Sequence, residues 1–223
     1  MTASAEWTWE TRRGAAAALH EPTPPTAVGR TVHEMLVDAP AIVLGSSQAE
    51  TDIDPGRAAA RGVSVVRRRS GGGAVLLVPG DHVWLDVWLP AADPLWNDDV
   101  GRAADWLAAV WVSASGSLGF ADSRAHRGPL VVGDWSSQVC FAGLGPGEVT
   151  SAGRKLVGVS QRRTRDWARF QCLIHRRWDA AATFGLLTAP DAVVAAGTWT
   201  AGVAEVGAAP VVPAFAAALA RLT

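Results

Sequence analysis

The chain has 223 residues, 49% of them hydrophobic, and a formal net charge of −1. That length and apolar content suit one large domain with a sizeable core, and the near-neutral balance argues against a general nucleic-acid surface. Two cysteines, Cys140 and Cys172, are too few for a disulfide framework and have no metal-type spacing, which points to a reducing, cytoplasmic setting. The opening residues lack a basic stretch followed by an apolar one, and no apolar run is long enough to span a bilayer. Neither a signal peptide nor a membrane partner is therefore expected.

In chain order, residues 1–30 are mixed in pattern and hold a Pro-rich turn, Glu21-Pro22-Thr23-Pro24-Pro25. Ala41 to Gly45 reads as a buried strand. Asp54 to Gly62 reads as a short helix with Pro at its start and Gly at its stop. Val63 to Arg67 is a strand that delivers the chain into Arg68-Arg69-Ser70-Gly71-Gly72-Gly73. Ala74 to Val78 and Val83 to Leu89, around Pro79-Gly80-Asp81, predict a hairpin. A helix follows over Asp98 to Ser115, with Val100, Ala103, Ala104, Leu107, Val110 and Trp111 on one face. Val139 to Phe141, Glu148 to Thr150, Lys155 to Arg162 and Phe170 to His175 read as strands, and Pro213 to Leu222 as a last helix. Strand pairs beside helices, without regular βαβ alternation, predict an α/β fold with a mixed, largely antiparallel sheet flanked by helices. Most of the Trp residues read as core filler; Trp84 and Trp88 are the better candidates for lining a tunnel.

Two segments carry chemistry. In the first, consecutive glycines at Gly71 to Gly73 allow close backbone approach, and their N–H groups can form an anion-binding nest beside the arginine forks. No Gly-Lys-Ser/Thr follows, so this is not a P-loop, and a strand rather than a helix comes next, so it is not a dinucleotide fingerprint. The plain alternative is a hairpin bend with solvated arginines. The second segment is Gly153-Arg154-Lys155-Leu156-Val157-Gly158-Val159-Ser160-Gln161-Arg162. Lys155 is the one lysine among 20 basic side chains, so this chain keeps an amine where Arg would supply charge. Period-2 alternation predicts that Lys155 shares a face with Val157, Val159 and Gln161. An ammonium facing that apolar row needs an anion, and a snorkelling surface lysine is the alternative. Glu148 stands either as a support for the Lys155 turn or as a solvated carboxylate. Cys172 reads as core. His126 and His175 have no partner at an interpretable spacing.

Together, Val66-Arg67-Arg68-Arg69-Ser70-Gly71-Gly72-Gly73-Ala74-Val75 and the Gly153–Arg162 string resemble the lipoate–protein ligase family, which sits with the biotin ligases and octanoyltransferases. Ile42-Val43-Leu44-Gly45-Ser46-Ser47-Gln48 is similar to the early strand and loop of lipoate ligases. The likeness runs from about His33 to His175. It implies the α/β catalytic domain shared with biotin ligases and class II aminoacyl-tRNA synthetases, as one domain over residues 1–223 without the C-terminal accessory domain of longer ligases. It implies that lipoate or octanoate reacts with ATP, accompanied by Mg2+, to give an acyl adenylate. The acyl group then passes to a lysine on the lipoyl carrier domain of a 2-oxoacid dehydrogenase or glycine cleavage protein. Lys155 matches the family's catalytic lysine, and Arg68 its arginine at the acyl adenylate. Ser70 and Gly71 to Gly73 would wrap the acyl-phosphate region, with Ala74, Val75 and Gly158 against the ligand.

The chain departs from the ligase pattern in two places. His-Asp after Ala-Val is replaced by Leu76-Leu77-Val78-Pro79-Gly80-Asp81, with His82 displaced. The downstream His-Gly is replaced by Phe170-Gln171-Cys172-Leu173. A separate accessory subunit could complete adenylation, or the chain could be a non-catalytic acyl-binding member. A third reading comes from Val139-Cys140-Phe141, which resembles the cysteine segment of one octanoyltransferase type. Cys140 would then carry the acyl group as a thioester, with Lys155 lowering its pKa. Otherwise Cys140 is a small buried hydrophobe.

Overall fold

A computed structural model describes residues 6–21, 23–25, 29–189, 191–199 and 202–222. A seven-stranded sheet runs in the order β1 (Thr8–Gly14), β2 (Thr31–Val37), β6 (His82–Pro90), β10 (Trp167–His175), β9 (Arg154–Arg163), β8 (Val149–Ser151), β7 (Arg124–Ala125). Only β1 and β2 pair in parallel, with α1 (Ala16–His20) in the connection between them; every other neighbour in this sheet is antiparallel. A second sheet has three strands in the order β4 (Ser64–Arg67), β3 (Ala41–Leu44), β5 (Val75–Leu77). The mixed, largely antiparallel architecture expected from the sequence is the one found.

Strand alternation decides which face becomes a site. In β6, Val83, Leu85, Val87 and Leu89 enter the core beneath α3 (Asp105–Ser117) and α6 (Val211–Leu219). In β10, Ala168, Phe170, Cys172 and Ile174 do the same. Trp111 of α3 and Phe215 of α6 close this layer with ring centroids 4.5 Å apart. Each fully buried ring contributes about 2–3 kcal/mol through apolar burial. Period 2 then sends Trp84, Asp86, Arg169, Gln171 and Leu173 to the opposite face. That face looks toward the small sheet, and the space between the two sheets holds the site. Helix α2 (Pro55–Ala60), α4 (Ala180–Phe184) and α5 (Ala192–Trp199) belong to the small sheet's side, where Ala58, Phe184 and Ala192 pack with Ile42 and Leu44.

Several local expectations differ. The predicted hairpin around Pro79-Gly80-Asp81 is instead a crossing between sheets: β5 pairs with β3, whereas β6 pairs with β2 and β10. Val139 to Phe141 is not a strand. Val139 forms an isolated bridge with Ala74, and Cys140–Ala142 is one turn of 3-10 helix. The helix expected from Asp98 begins at Asp105, because the preceding residues form successive turns pinned by Asn97 and Asp99 side chains. Among the described residues no helix is long and apolar enough to cross a membrane.

Candidate active site

The β8–β9 turn sets the position of Lys155. Ala152 (φ 48°) and Gly153 (φ 73°) are both left-handed, as a two-residue hairpin of the primed type requires. Just beyond it the pairing shifts: Val149 faces Val157, but Thr150 faces Lys155. One extra residue, Leu156, therefore sits in β9 as a bulge, and the side-chain parity reverses there. Leu156 and Val157 both enter the core under α3, while Lys155 comes to lie on the face of Gly158 and Ser160. The sequence-based face assignment of Lys155 is corrected accordingly. Gly158 is needed under the lysine: a Cβ there would lie 3.5 Å from Lys155 Cε and 3.1 Å from the Phe141 ring.

Lys155 Nζ is enclosed. It pairs with Glu148 Oε2 at 2.7 Å, both side chains being 5% exposed. It also donates to the carbonyls of Cys140 and Gly143, each at 2.9 Å, and lies 4.9 Å from the centroid of Phe141. Glu148 is itself fixed, since Oε2 accepts from Gly145 N–H at 2.7 Å and Oε1 from Val159 N–H at 3.1 Å. Glu148 is thus the buried counter-ion of Lys155, not a solvated carboxylate.

Facing it across a cleft of about 280 Å³ is the Gly71–Gly73 loop. The loop lies tight against its surroundings. A Cβ on Gly45 would fall 1.8 Å from Gly72 O, and one on Gly73 would fall 2.6 Å from Val139 N. Arg68 is buried and donates to the carbonyls of Val43, Gly71 and Gly73 at 3.1, 2.6 and 2.9 Å. Its fork shapes the loop from behind. Arg67 likewise donates to Gly45 O at 2.8 Å and Gln48 O at 2.7 Å, whereas Arg69 is exposed. Among the described residues, none of the N–H groups of Gly71, Gly72 and Gly73 finds an acceptor, so the loop presents a row of open donors. Ala74 bridges to Val139 and holds the loop to the Cys140 turn.

From the cleft a narrow apolar slot of about 50 Å³ runs between the sheets. Val43 and Val75 come from the small sheet, Trp84 and Leu173 from the large one, and Phe141 from the turn. Cys140, Val159 and Ser160 line both spaces and so mark their junction. The Cys140 thiol is free, and its sulfur would lie 3.5 Å from a Cβ on Gly72. Ser70 does not line the slot; its hydroxyl meets Ser160 Oγ at 3.0 Å and Gln171 Oε1 at 3.1 Å and ties the loop to β9 and β10. Trp88 lies outside the slot, tilted against Trp167. Cys172 is core, its thiol pushed up to about 12 by burial.

His82 and His175 stand opposite one another on β6 and β10, away from the slot and cleft. Residues the sequence did not single out are His20 and Gln171, both on the slot wall. Gln171 carries a readable signal, a polar residue on the inward alternation of an apolar strand. His20 carries none, because its neighbours come from β6 and β10, far along the chain. Burial, then the charges of Arg169 and Arg68, hold the His20 imidazole down at about 3.

A sequence model of the lipoyl protein ligase A/B catalytic domain matches residues 19–211. No curated protein sequence matches the chain. Among solved structures, a bipartite lipoate protein ligase from Thermoplasma acidophilum, described with its E2 lipoyl domain, superimposes with TM-score 0.75 at 15% identity, covering 97% of this chain and 83% of that one. A lipoate-protein ligase A bound with ATP gives TM-score 0.71 at 16% identity over 97% and 84% of the two chains. A T. acidophilum putative lipoate protein ligase with bound lipoic acid gives 0.66 at 15% over 91% and 76%. At these identities the structures speak for the fold, and the sequence match speaks for the family. Because that match spans most of its length, the chain belongs to the lipoyl protein ligase A/B catalytic domain family, a family of enzymes.

Proposed function

We propose that this protein is an ATP-dependent lipoate–protein ligase that converts lipoate or octanoate to an acyl adenylate and passes the acyl group to a lysine of a lipoyl carrier domain. The observation that carries this reading is the enclosed Lys155 ammonium in a donor-lined cleft that opens into an apolar slot. An acyl tail suits the slot. Its carboxylate then reaches the cleft, where the carboxylate oxygen attacks the α-phosphorus of ATP and pyrophosphate leaves. Lys155 is the fixed positive charge at that point, and it stabilises negative charge on the acyl and phosphate oxygens. The open N–H groups of Gly71 to Gly73 suit phosphate oxygens, and Mg2+ would arrive with the phosphates of ATP. In the second step the carrier amine attacks the acyl carbon and AMP leaves. Arg68 serves by holding the glycine loop, Val75 by lining the tail, Ala74 and Ser70 by fixing the loop's ends, and Gly158 by making room for the lysine stem.

A second reading rests on Cys140, whose side chain stands at the junction of slot and cleft. One experiment separates the two. The purified chain is given lipoate or octanoate with ATP and Mg2+, and acyl-AMP is sought by mass spectrometry, followed by acylation of a lipoyl domain. Adenylate that survives Cys140→Ser supports the ligase. Acylation from acyl carrier protein without ATP, lost in Cys140→Ser, replaces it with the transferase. Adenylate without transfer would call for an accessory subunit.

A further inference from the structure

His20 stacks on Trp84 with ring centroids 4.4 Å apart and planes 26° apart. Both line the slot, and Trp84 stands on β6, separated by β10 from the β9 strand that carries Lys155 and Ser160, so the pair lies at the slot's inner end. The proton on His20 can be placed. Gln171 accepts Ser70 O–H through its Oε1 at 3.1 Å. With the amide oxygen so used, its nitrogen is turned toward His20. The same amide nitrogen is 3.3 Å from His20 Nδ1, which must then be the accepting nitrogen. The ring proton therefore sits on Nε2. That atom is buried and has no partner among the described residues. Unlike a donor sealed in the core, this one stands on the slot wall, where a ligand atom can complete the bond.

We infer that His20 is a specificity-determining residue that selects acyl chains whose far end carries a hydrogen-bond acceptor, a dithiolane sulfur, over chains that end in methyl. The inference rests on the acyl reading of the slot given above. Sulfur is a weak acceptor, so one such bond is worth roughly five-fold in affinity. An octanoyl methyl would leave Nε2–H unpaired in a closed apolar space, which is the penalty that gives discrimination.

The test is calorimetric titration of the full chain with lipoate, octanoate and the cyclopentyl analogue of lipoate in which methylenes replace both sulfurs. The analogue has the ring shape of lipoate and greater apolarity, so size and hydrophobicity alone would favour it. Wild-type protein should bind lipoate roughly five-fold more tightly than the analogue, the weight of one net hydrogen bond. His20→Phe keeps a ring against Trp84 and removes the donor, and should bring that ratio to about one or below. His20→Asn, which restores a donor, should recover part of it; melting curves establish that both variants fold. Equal wild-type affinities for lipoate and analogue would overturn the inference and leave the acyl slot standing. So would an unchanged ratio in folded His20→Phe. Failure of the wild-type chain to bind any of the three acids would overturn the acyl reading itself, and the inference with it.

Discussion

Two buried ion pairs stand on the same face of the large sheet, and they are built differently. At the inner end, Arg169 binds Asp86 through Nε at 2.6 Å and through Nη2, and its remaining donors go to His20 O at 3.0 Å and Leu19 O at 2.7 Å. Asp86 also takes Trp84 Nε1–H at 2.7 Å. Every partner there is protein, and the fork fastens α1 to the sheet. At the outer end, Lys155 and Glu148 line an open cleft beside unused glycine N–H groups. A planar fork suits a permanent joint, whereas a single ammonium on a flexible stem can turn from a resident carboxylate to an incoming anion. The composition keeps both cations buried, and only the second faces a space a substrate can enter.

The largest effect should come from breaking the inner joint. Asp86→Ala leaves the Arg169 guanidinium buried without its carboxylate and should cost about 3–5 kcal/mol of stability in urea unfolding. Replacing both residues, Asp86→Leu with Arg169→Met, should restore most of that loss. If the single change cost less than about 1 kcal/mol, the joint would not be structural in the sense argued.

The outer pair should respond the other way. Lys155→Arg should lower acyl transfer roughly a hundred- to a thousand-fold, the range for removing one preorganised donor, in a protein that still folds. The guanidinium is too wide to share the enclosed position between Cys140 O, Gly143 O and Glu148. Near wild-type turnover in a folded Lys155→Arg protein would remove Lys155 from the chemistry.

A buried imidazole lies within electrostatic reach of the cation of each pair, and acid should reveal both. Burial holds His20 and His175 at about 3 against an ordinary value of 6.5, aided by Arg169 at the first and by His82 and Lys155 at the second. Their folded values are depressed, so below pH 6.5 the unfolded chain binds protons that the folded chain refuses. Stability is therefore complete above that pH and falls as pH drops toward the folded values, by about 1.4 kcal/mol per pH unit for each imidazole. Urea midpoints measured across that window should show the slope, and His20→Phe and His175→Phe should each remove one proton from it. A slope left unchanged by either substitution would contradict the assignment.

How much of this was legible in the sequence depends on the distance over which each feature is decided. The Gly71–Gly73 loop and the lone lysine are local motifs, readable one by one, and the fold brings them to either side of one cleft. Strand alternation also carried the fold class. Parity failed at Lys155, because the Leu156 bulge is a property of pairing with β8 and leaves no mark in β9 alone. The hairpin expected at Pro79–Asp81 failed for a related reason: a turn signal gives a change of direction but not the sheet that the next strand joins. Glu148 and Lys155 meet only once their hairpin closes, and His20 meets Gln171 across most of the chain. The lone carboxylate in Trp84-Leu85-Asp86-Val87-Trp88 and the lone guanidinium in Trp167-Ala168-Arg169-Phe170 did offer a signal, since two opposite charges in apolar strands predict one another.

The hairpin that aims Lys155 supplies the smallest and most local prediction. Ala152 is the one non-glycine among the described residues with positive φ, at 48°. It is held there by Asp122, which accepts Ser151 O–H at 2.6 Å and Ala152 N–H at 2.5 Å. A Cβ in the left-handed region is crowded by the following carbonyl, at about 1–2 kcal/mol. Ala152→Gly relieves that strain but gives the unfolded chain more freedom, so the net gain should be about 0.5–1 kcal/mol. If the turn served only stability, glycine would be an improvement without consequence. If it also fixes the register that places Lys155 between turn and bulge, Asp122→Ala, which frees the turn, should lower acyl transfer more than its small effect on melting would explain. Parallel measurement of the melting temperature and turnover for the two variants separates these cases, because strain relief moves only the first and loss of register moves the second.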